Sequence, residues 1–120
     1  MYIGIDLIDI ERVQKAVERT PGFLHKVFTA EEIAYSKNKK NPYPSLAVRF
    51  AAKEAVRKLS LKFQQGIPLT DIEIRNDAEG RPYLVLRGAA GSVMEELGLT
   101  ALDVSLSHTD TQAVAVVLAY

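Results

Sequence analysis

The 120-residue chain contains no cysteine, and that absence excludes a disulfide framework, a thiolate metal site and a cysteine nucleophile together. Histidine is nearly as scarce: His25 and His108 are the only two, and with no neighbour of its kind neither is expected to hold zinc. No apolar run approaches the roughly 18 residues that a spanning helix needs. The amino end carries Asp6, Asp9 and Glu11 where a signal peptide would place basic residues, so a cytoplasmic protein with no membrane contact is expected. The chain also lacks a P-loop, a GxGxxG and a GxSxG, which leaves nucleotide hydrolysis and dinucleotide binding in their usual modes without support. There is no internal repeat and no low-complexity tract.

What is present has an ordinary globular balance, with 48% hydrophobic and 25% charged residues, and the length fits one domain over residues 1–120. Fifteen basic and fifteen acidic residues cancel, but not locally. Between Lys37 and Lys62, eight cations face a single anion, Glu54, so this segment is +7 and the remainder −7. Segregation of this kind suits a phosphate-rich ligand or an acidic protein partner, although lysines that merely solubilise a helix and its preceding loop would give the same count.

Periodicity places the elements. Residues Tyr2 to Ile8 alternate as a strand, with Ile3, Ile5 and Leu7 on one face, Tyr2, Gly4 and Asp6 on the other, and Asp6 near its end. Asp9 is positioned to cap a helix in which Ile10, Val13 and Val17 recur, ending at Thr20-Pro21-Gly22. TAEE at 29–32 is a capping box, with helix from Ala30 to about Lys37. KNKKNPYP is a loop, and a long helix from Ser45 to about Leu61 follows. The second half reads as DIEIR, a hairpin loop from Asp77 to Gly80, RPYLVLRG, a short helix from about Ala89 to Leu97, then LDVSLSH and QAVAVVLAY. The last strand, apolar from Ala113 to Ala119, is expected to be buried on both faces. The class is α+β, helices packed on a mainly antiparallel sheet.

Chemistry concentrates in RFAAKEAVRK, residues 49–58. Glu54 continues the side of the helix that carries Leu46 and Phe50, while Arg49, Lys53 and Arg57 form a second column about a quarter turn away. One structural role for Glu54 is an i, i+4 ion pair with Lys58, worth about 0.3 to 0.5 kcal/mol on a surface. Asp6 is a second carboxylate in an apolar setting, flanked by Ile5 and Leu7, and such a group needs a partner. Two carboxylates of this kind suit magnesium, which takes one or two protein carboxylates and completes its shell with water and phosphate oxygens. Neighbouring cations would then hold the same phosphates. In SLSHT, His108 stands at a strand end as either a turn residue or a phosphate donor, Thr109 shares a face with Ser105 and Ser107, and Asp110 is a turn former.

The combination of IGID, RFAAKEAVRK, a hairpin ending GRPYL and a closing SLSHT resembles the holo-acyl-carrier-protein synthases, the small single-domain phosphopantetheinyl transferases. The resemblance runs through nearly the whole chain. It implies the transferase fold, magnesium, coenzyme A as co-substrate, and transfer of the phosphopantetheine arm to a serine of the acyl carrier protein in fatty acid biosynthesis, releasing adenosine 3′,5′-bisphosphate. On that basis Asp6 and Glu54 are the metal ligands and, with Lys58, the catalytic set. Arg49, Lys53, Lys58, His108 and Thr109 are assigned to the coenzyme, with Gly80 and Pro82 at its adenine end. Arg12, helped by Arg19 and Lys26, meets the carrier. Family members of this size are homotrimers with sites between subunits. The carrier serine loses its proton to Glu54 or to a metal-bound water. Where the family often carries a glycine-rich GTG turn after the helix, this chain reads LKFQQG. A magnesium-dependent pyrophosphohydrolase acting on coenzyme A would share the metal logic, whereas an RNA-binding module lacks the expected aromatic pattern.

Overall fold

Residues 1–120 are described by a computed structural model. The order is β1 (Tyr2–Asp9), α1 (Ile10–Arg19), α2 (Phe23–Val27), α3 (Ala30–Lys37), α4 (Tyr43–Arg57), β2 (Ile72–Asn76), β3 (Pro82–Leu86), α5 (Gly88–Glu96), β4 (Leu102–His108) and β5 (Gln112–Ala119), with 3₁₀ turns at Leu61–Phe63 and Leu69–Asp71. Every strand pair is antiparallel, as the α+β class requires: β1-β5-β4 form one sheet and β2-β3 a separate hairpin. The two ends of the chain meet in the sheet, Tyr2 opposite Ala119 and Asp9 opposite Gln112. No helix is long and apolar enough to cross a membrane.

Helix α4 lies on the inner face of the three-stranded sheet, against β1 and β5. Small side chains allow the close approach: Ala47, Ala51, Ala52 and Ala55 on the helix, and Ala113, Ala115 and Ala119 on β5, are all buried. The tightest point is Gly4, where an added Cβ would stand 2.0 Å from the carbonyl oxygen of Ala55. Any side chain there would push β1 off the helix.

Several boundaries and contacts differ from expectation. Helix α4 begins at Tyr43, two residues early, because Pro44 falls in the first turn, where a missing N–H costs nothing, and Asn41 Oδ1 accepts from the Tyr43 amide at 3.1 Å. It ends at Arg57 rather than Leu61, since Ser60 Oγ accepts from the Lys62 amide and starts a 3₁₀ turn. Asp9 does not cap α1; its carboxylate accepts from Gln112 Nε2 across the sheet at 3.2 Å. Asp6 is in the middle of β1, opposite Ala115, and not at a strand end. In the single chain β5 is covered on one face only. Val114, Val116 and Leu118 are half-buried on the outer face, beside Ile3, Ile5 and Leu7 at 66%, 57% and 61% exposure, because every helix that packs on this sheet lies on the other side.

Behind α4 is a buried polar network. The expected capping box forms, with Thr29 Oγ1 accepting from the Glu32 amide and Glu32 Oε1 accepting from the Thr29 amide at 2.9 Å. The same Glu32 carboxylate, buried, takes the Lys53 ammonium at 2.8 Å and the Ile74 amide at 3.0 Å. Lys53 is fully buried and also donates to the carbonyls of Leu69 and Ile72. Burial pushes the Lys53 ammonium below its ordinary pKa, with Glu32 opposing that shift. Glu73, buried next to it, accepts from the Thr29 hydroxyl at 2.6 Å and from Arg87 at 2.9 Å. Burial alone would raise the Glu73 carboxyl, but the Thr29 hydroxyl and the Arg87 guanidinium outweigh it and hold it below the ordinary glutamate value.

Lys53→Met leaves the Glu32 carboxylate buried without its cation and two carbonyls without a donor, so the unfolding free energy in urea is expected to fall by about 3 to 5 kcal/mol; a change within error would show the pair to be dispensable. Because the folded-state pKa of Glu73 lies below its unfolded value, its contribution is fully present above the unfolded value of about 4.3 and is lost as pH falls through the folded one. Glu73→Gln is therefore expected to lower stability at neutral pH and to flatten its acid decline, and parallel pH profiles for the two proteins would contradict this.

Candidate active site

Residues Tyr2, Gly4, Asp6 and Ile8 form the face of β1 that meets α4, and the absent side chain of Gly4 brings Asp6 down onto the helix. There Asp6 Oδ1 accepts from Lys58 Nζ at 2.8 Å, and the same ammonium reaches the Ile5 carbonyl at 3.1 Å. Glu54 does not take Lys58 as its i, i+4 partner. Its two oxygens instead accept from Arg57 Nη1 at 3.1 and 3.4 Å.

Asp6 and Glu54 line one cleft of about 450 Å³ between β1, α1 and α4, together with Arg12, Val13, Phe23 and Phe50. Both carboxylates are sheltered yet reachable, with side-chain exposures of 15% and 24%. Each faces one cation, Lys58 for Asp6 and Arg57 for Glu54. Arg12 projects from α1 at the rim and makes no ion pair, while its neighbour Glu11 pairs with Lys15 at 2.9 Å. Arg19 and Lys26 are exposed on α1 and α2 but do not line the cleft. No group of three or more histidine, cysteine, aspartate or glutamate side chains is clustered for a metal. A paired donor set of two carboxylates fits magnesium, which leaves most of its shell to water and phosphate, and does not fit a fully protein-caged ion.

The expected coenzyme residues divide. Arg49, Gly80, Pro82 and His108 line a second groove of about 560 Å³, between the start of α4, the hairpin turn and the end of β4. Arg49 is buried, and its guanidinium is fixed by Ser45 Oγ at 3.0 Å, Asn76 Oδ1 at 2.6 Å and the ring of Tyr35 at 4.3 Å from its centroid. Its Nε is buried without a partner, and burial lowers the pKa of the group. His108 is exposed, with Nδ1 3.1 Å from the Thr109 carbonyl.

Two members of the expected coenzyme set do not line the groove of the single chain. Lys53 reaches neither cavity, since its ammonium is spent on Glu32 and two carbonyls inside the molecule. Thr109 does not line the groove; its hydroxyl accepts from the amides of Thr111 and Gln112 and closes the β4–β5 turn. Lys58 lies with the carboxylates rather than in the groove. Conversely, Lys39, Lys40 and Asn76 line the groove without having been singled out. The two lysines were visible as part of the +7 segment. Asn76 carried no signal, because its role depends on a residue 27 positions away.

Comparison with known proteins identifies the family. A family model described as the 4′-phosphopantetheinyl transferase superfamily matches residues 2–117. A holo-[acyl-carrier-protein] synthase of Syntrophus aciditrophicus is 47% identical over 117 residues, covering 96% of this chain and 91% of the relative. One from Caldanaerobacter subterraneus is 38% identical over 119 residues, covering 99% and 94%. Among solved structures, the Helicobacter pylori holo-[acyl-carrier-protein] synthase in complex with coenzyme A superposes with a TM-score of 0.80 at 32% identity, covering 98% of this chain and 99% of the other. With its fold and its sequence in agreement, this chain belongs to the 4′-phosphopantetheinyl transferase superfamily.

Proposed function

We propose that this protein is a cytoplasmic, single-domain holo-acyl-carrier-protein synthase of fatty acid biosynthesis, which transfers the 4′-phosphopantetheine arm of coenzyme A to a serine of the apo carrier protein. The observation that carries the proposal is the meeting of Asp6 and Glu54 in one cleft, with Arg12 at its rim. Relatives that cover nearly the whole chain bear the synthase name, and the Helicobacter pylori structure holds coenzyme A.

In the reaction, the serine oxygen bonds to the β-phosphorus of coenzyme A while the bond from that phosphorus to the departing adenosine 3′,5′-bisphosphate breaks. The serine proton passes to the Glu54 carboxylate or to water. Asp6 and Glu54 would hold a magnesium ion, which when bound would neutralise charge on the diphosphate. Lys58, against Asp6, adds a fixed positive charge where negative charge accumulates. Arg49 and His108 hold phosphate oxygens, and the Gly80–Pro82 turn receives the adenine end. Arg12, with Arg19 and Lys26, steers the acidic carrier to the cleft.

The assembly is proposed to be a homotrimer with sites between copies. Its support is the outer sheet face, where Ile3, Ile5, Leu7, Val114, Val116 and Leu118 form an apolar surface with no helix over it. Leu7 belongs both to this surface and to the wall of the carboxylate cleft, so a copy seated on the sheet lies beside the chemistry. No residue lines both the carboxylate cleft and the cationic groove, which suits a coenzyme held by one of each from neighbouring copies.

Intact-protein mass spectrometry of apo carrier protein incubated with this protein, coenzyme A and magnesium is expected to show the gain of one phosphopantetheine. The gain should disappear with a chelator, and Glu54→Ala should slow it by on the order of 10²-fold or more with the fold intact. Full activity in that variant would remove Glu54 from the mechanism, and coenzyme A consumed without carrier modification would identify the pyrophosphohydrolase. Arg12→Glu is expected to raise the KM for the carrier and to leave the Kd for coenzyme A unchanged; the opposite pattern would place Arg12 in the coenzyme site.

A further inference from the structure

Asn76, the last residue of β2, uses both ends of its side-chain amide. Oδ1 accepts from Arg49 Nη2 at 2.6 Å, and Nδ2 donates to the Gly80 carbonyl at 3.0 Å. The orientation is dictated by chemistry, because a guanidinium can only donate and must meet the oxygen, which leaves the nitrogen for the carbonyl. One short side chain therefore joins α4 to the hairpin turn on the opposite lip of the groove. The turn itself is already ordered: Asp77 Oδ1 accepts from the amides of Glu79 and Arg81, both at 2.9 Å, and Gly80 adopts a φ of +85° that suits glycine. What its own bonds do not set is its distance from Arg49.

Arg49 needs this support. Its shortest hydrogen bond is the one to Asn76; the others go to Ser45 one turn earlier on the same helix, and Nε has none. Without Asn76, the guanidinium is held by its own helix and by the Tyr35 ring alone.

We propose that Asn76 is a positioning residue for the nucleotide half of coenzyme A, which fixes the Arg49 guanidinium and the Gly80–Pro82 lip at one spacing. The proposal rests on the coenzyme assignment of the previous section. Asn76 touches Arg49 and the turn, and acts on the ligand through them.

The test is calorimetric binding of coenzyme A and of adenosine 3′,5′-bisphosphate to the wild-type protein, Asn76→Ala and Asn76→Asp. Asn76→Ala is expected to weaken both ligands about tenfold, the scale of one hydrogen bond to a charged group. The KM for the carrier and inhibition by 4′-phosphopantetheine, which lacks the nucleotide, should not change. Asn76→Asp keeps an acceptor for Arg49 and so guards against misfolding, but loses the donor to Gly80, and it too should weaken the nucleotide. Nucleotide affinities equal to wild type in both variants, or an equal loss for 4′-phosphopantetheine, would overturn the assignment of Asn76. Failure of the wild-type protein to bind either nucleotide would overturn the coenzyme reading itself, and this proposal with it.

Discussion

The buried ammonium of Lys53 sets the geometry of the molecule. A cation with no exposure persists only if its surroundings are arranged around it, and here the acceptors come from separate parts of the chain: Glu32 on α3, and the carbonyls of Leu69 and Ile72 at the entry to β2. Glu32 is in turn held by the Thr29 amide and the Ile74 amide, so α3, α4 and β2 share one set of bonds. That set fixes the rotation of α4 about its own axis. The next residue, Glu54, is then turned by about 100° toward β1 and Asp6, while Arg49, one turn earlier, faces the hairpin. A helix slipped or rotated by one residue would exchange the buried charge for the one in the cleft.

Much of this was readable from local pattern. The Thr29–Glu32 capping box, the Asp77–Gly80 turn and the terminal strands are specified by residues within a few positions of one another, and the structure has them where periodicity places them. The carboxylate pair was readable for a different reason: an aspartate among apolar strand residues and a glutamate on an apolar helix side each need a partner, and the topology brings them to one cleft. Lys53 was misread because helical spacing shows which column a residue occupies, not which column faces the interior. Glu32 was recognised only as a capping residue, although its remaining hydrogen-bonding capacity is what buries Lys53.

Strand alternation misleads in a similar way on β1. The face bearing Ile3, Ile5 and Leu7 is the more apolar, yet it is the face bearing Gly4 and Asp6 that meets the helix. The reason is the close approach at Ala55, where only glycine fits, together with the salt bridge from Lys58 that makes an inward aspartate tolerable. The Asp6 carboxylate and the packing of the helix thus share one strand face. The large apolar residues are displaced to the other side.

That displacement bears on assembly. A strand apolar at every position, as β5 is from Ala113 to Ala119, is ordinarily covered on both faces, but helices cover this sheet on one side only. The outer apolar residues of β1 and β5 are contiguous in register, Ile3 opposite Leu118, Ile5 opposite Val116 and Leu7 opposite Val114, which gives one continuous surface rather than scattered exposures. In the proposed trimer this surface is the contact between copies, and Leu7 ties it to the wall of the carboxylate cleft. The placement of Asp6 on the inner face and the exposure of Leu7 on the outer one are then two results of the same alternation: the strand that carries the proposed metal ligand inward carries the proposed subunit contact outward, one residue away.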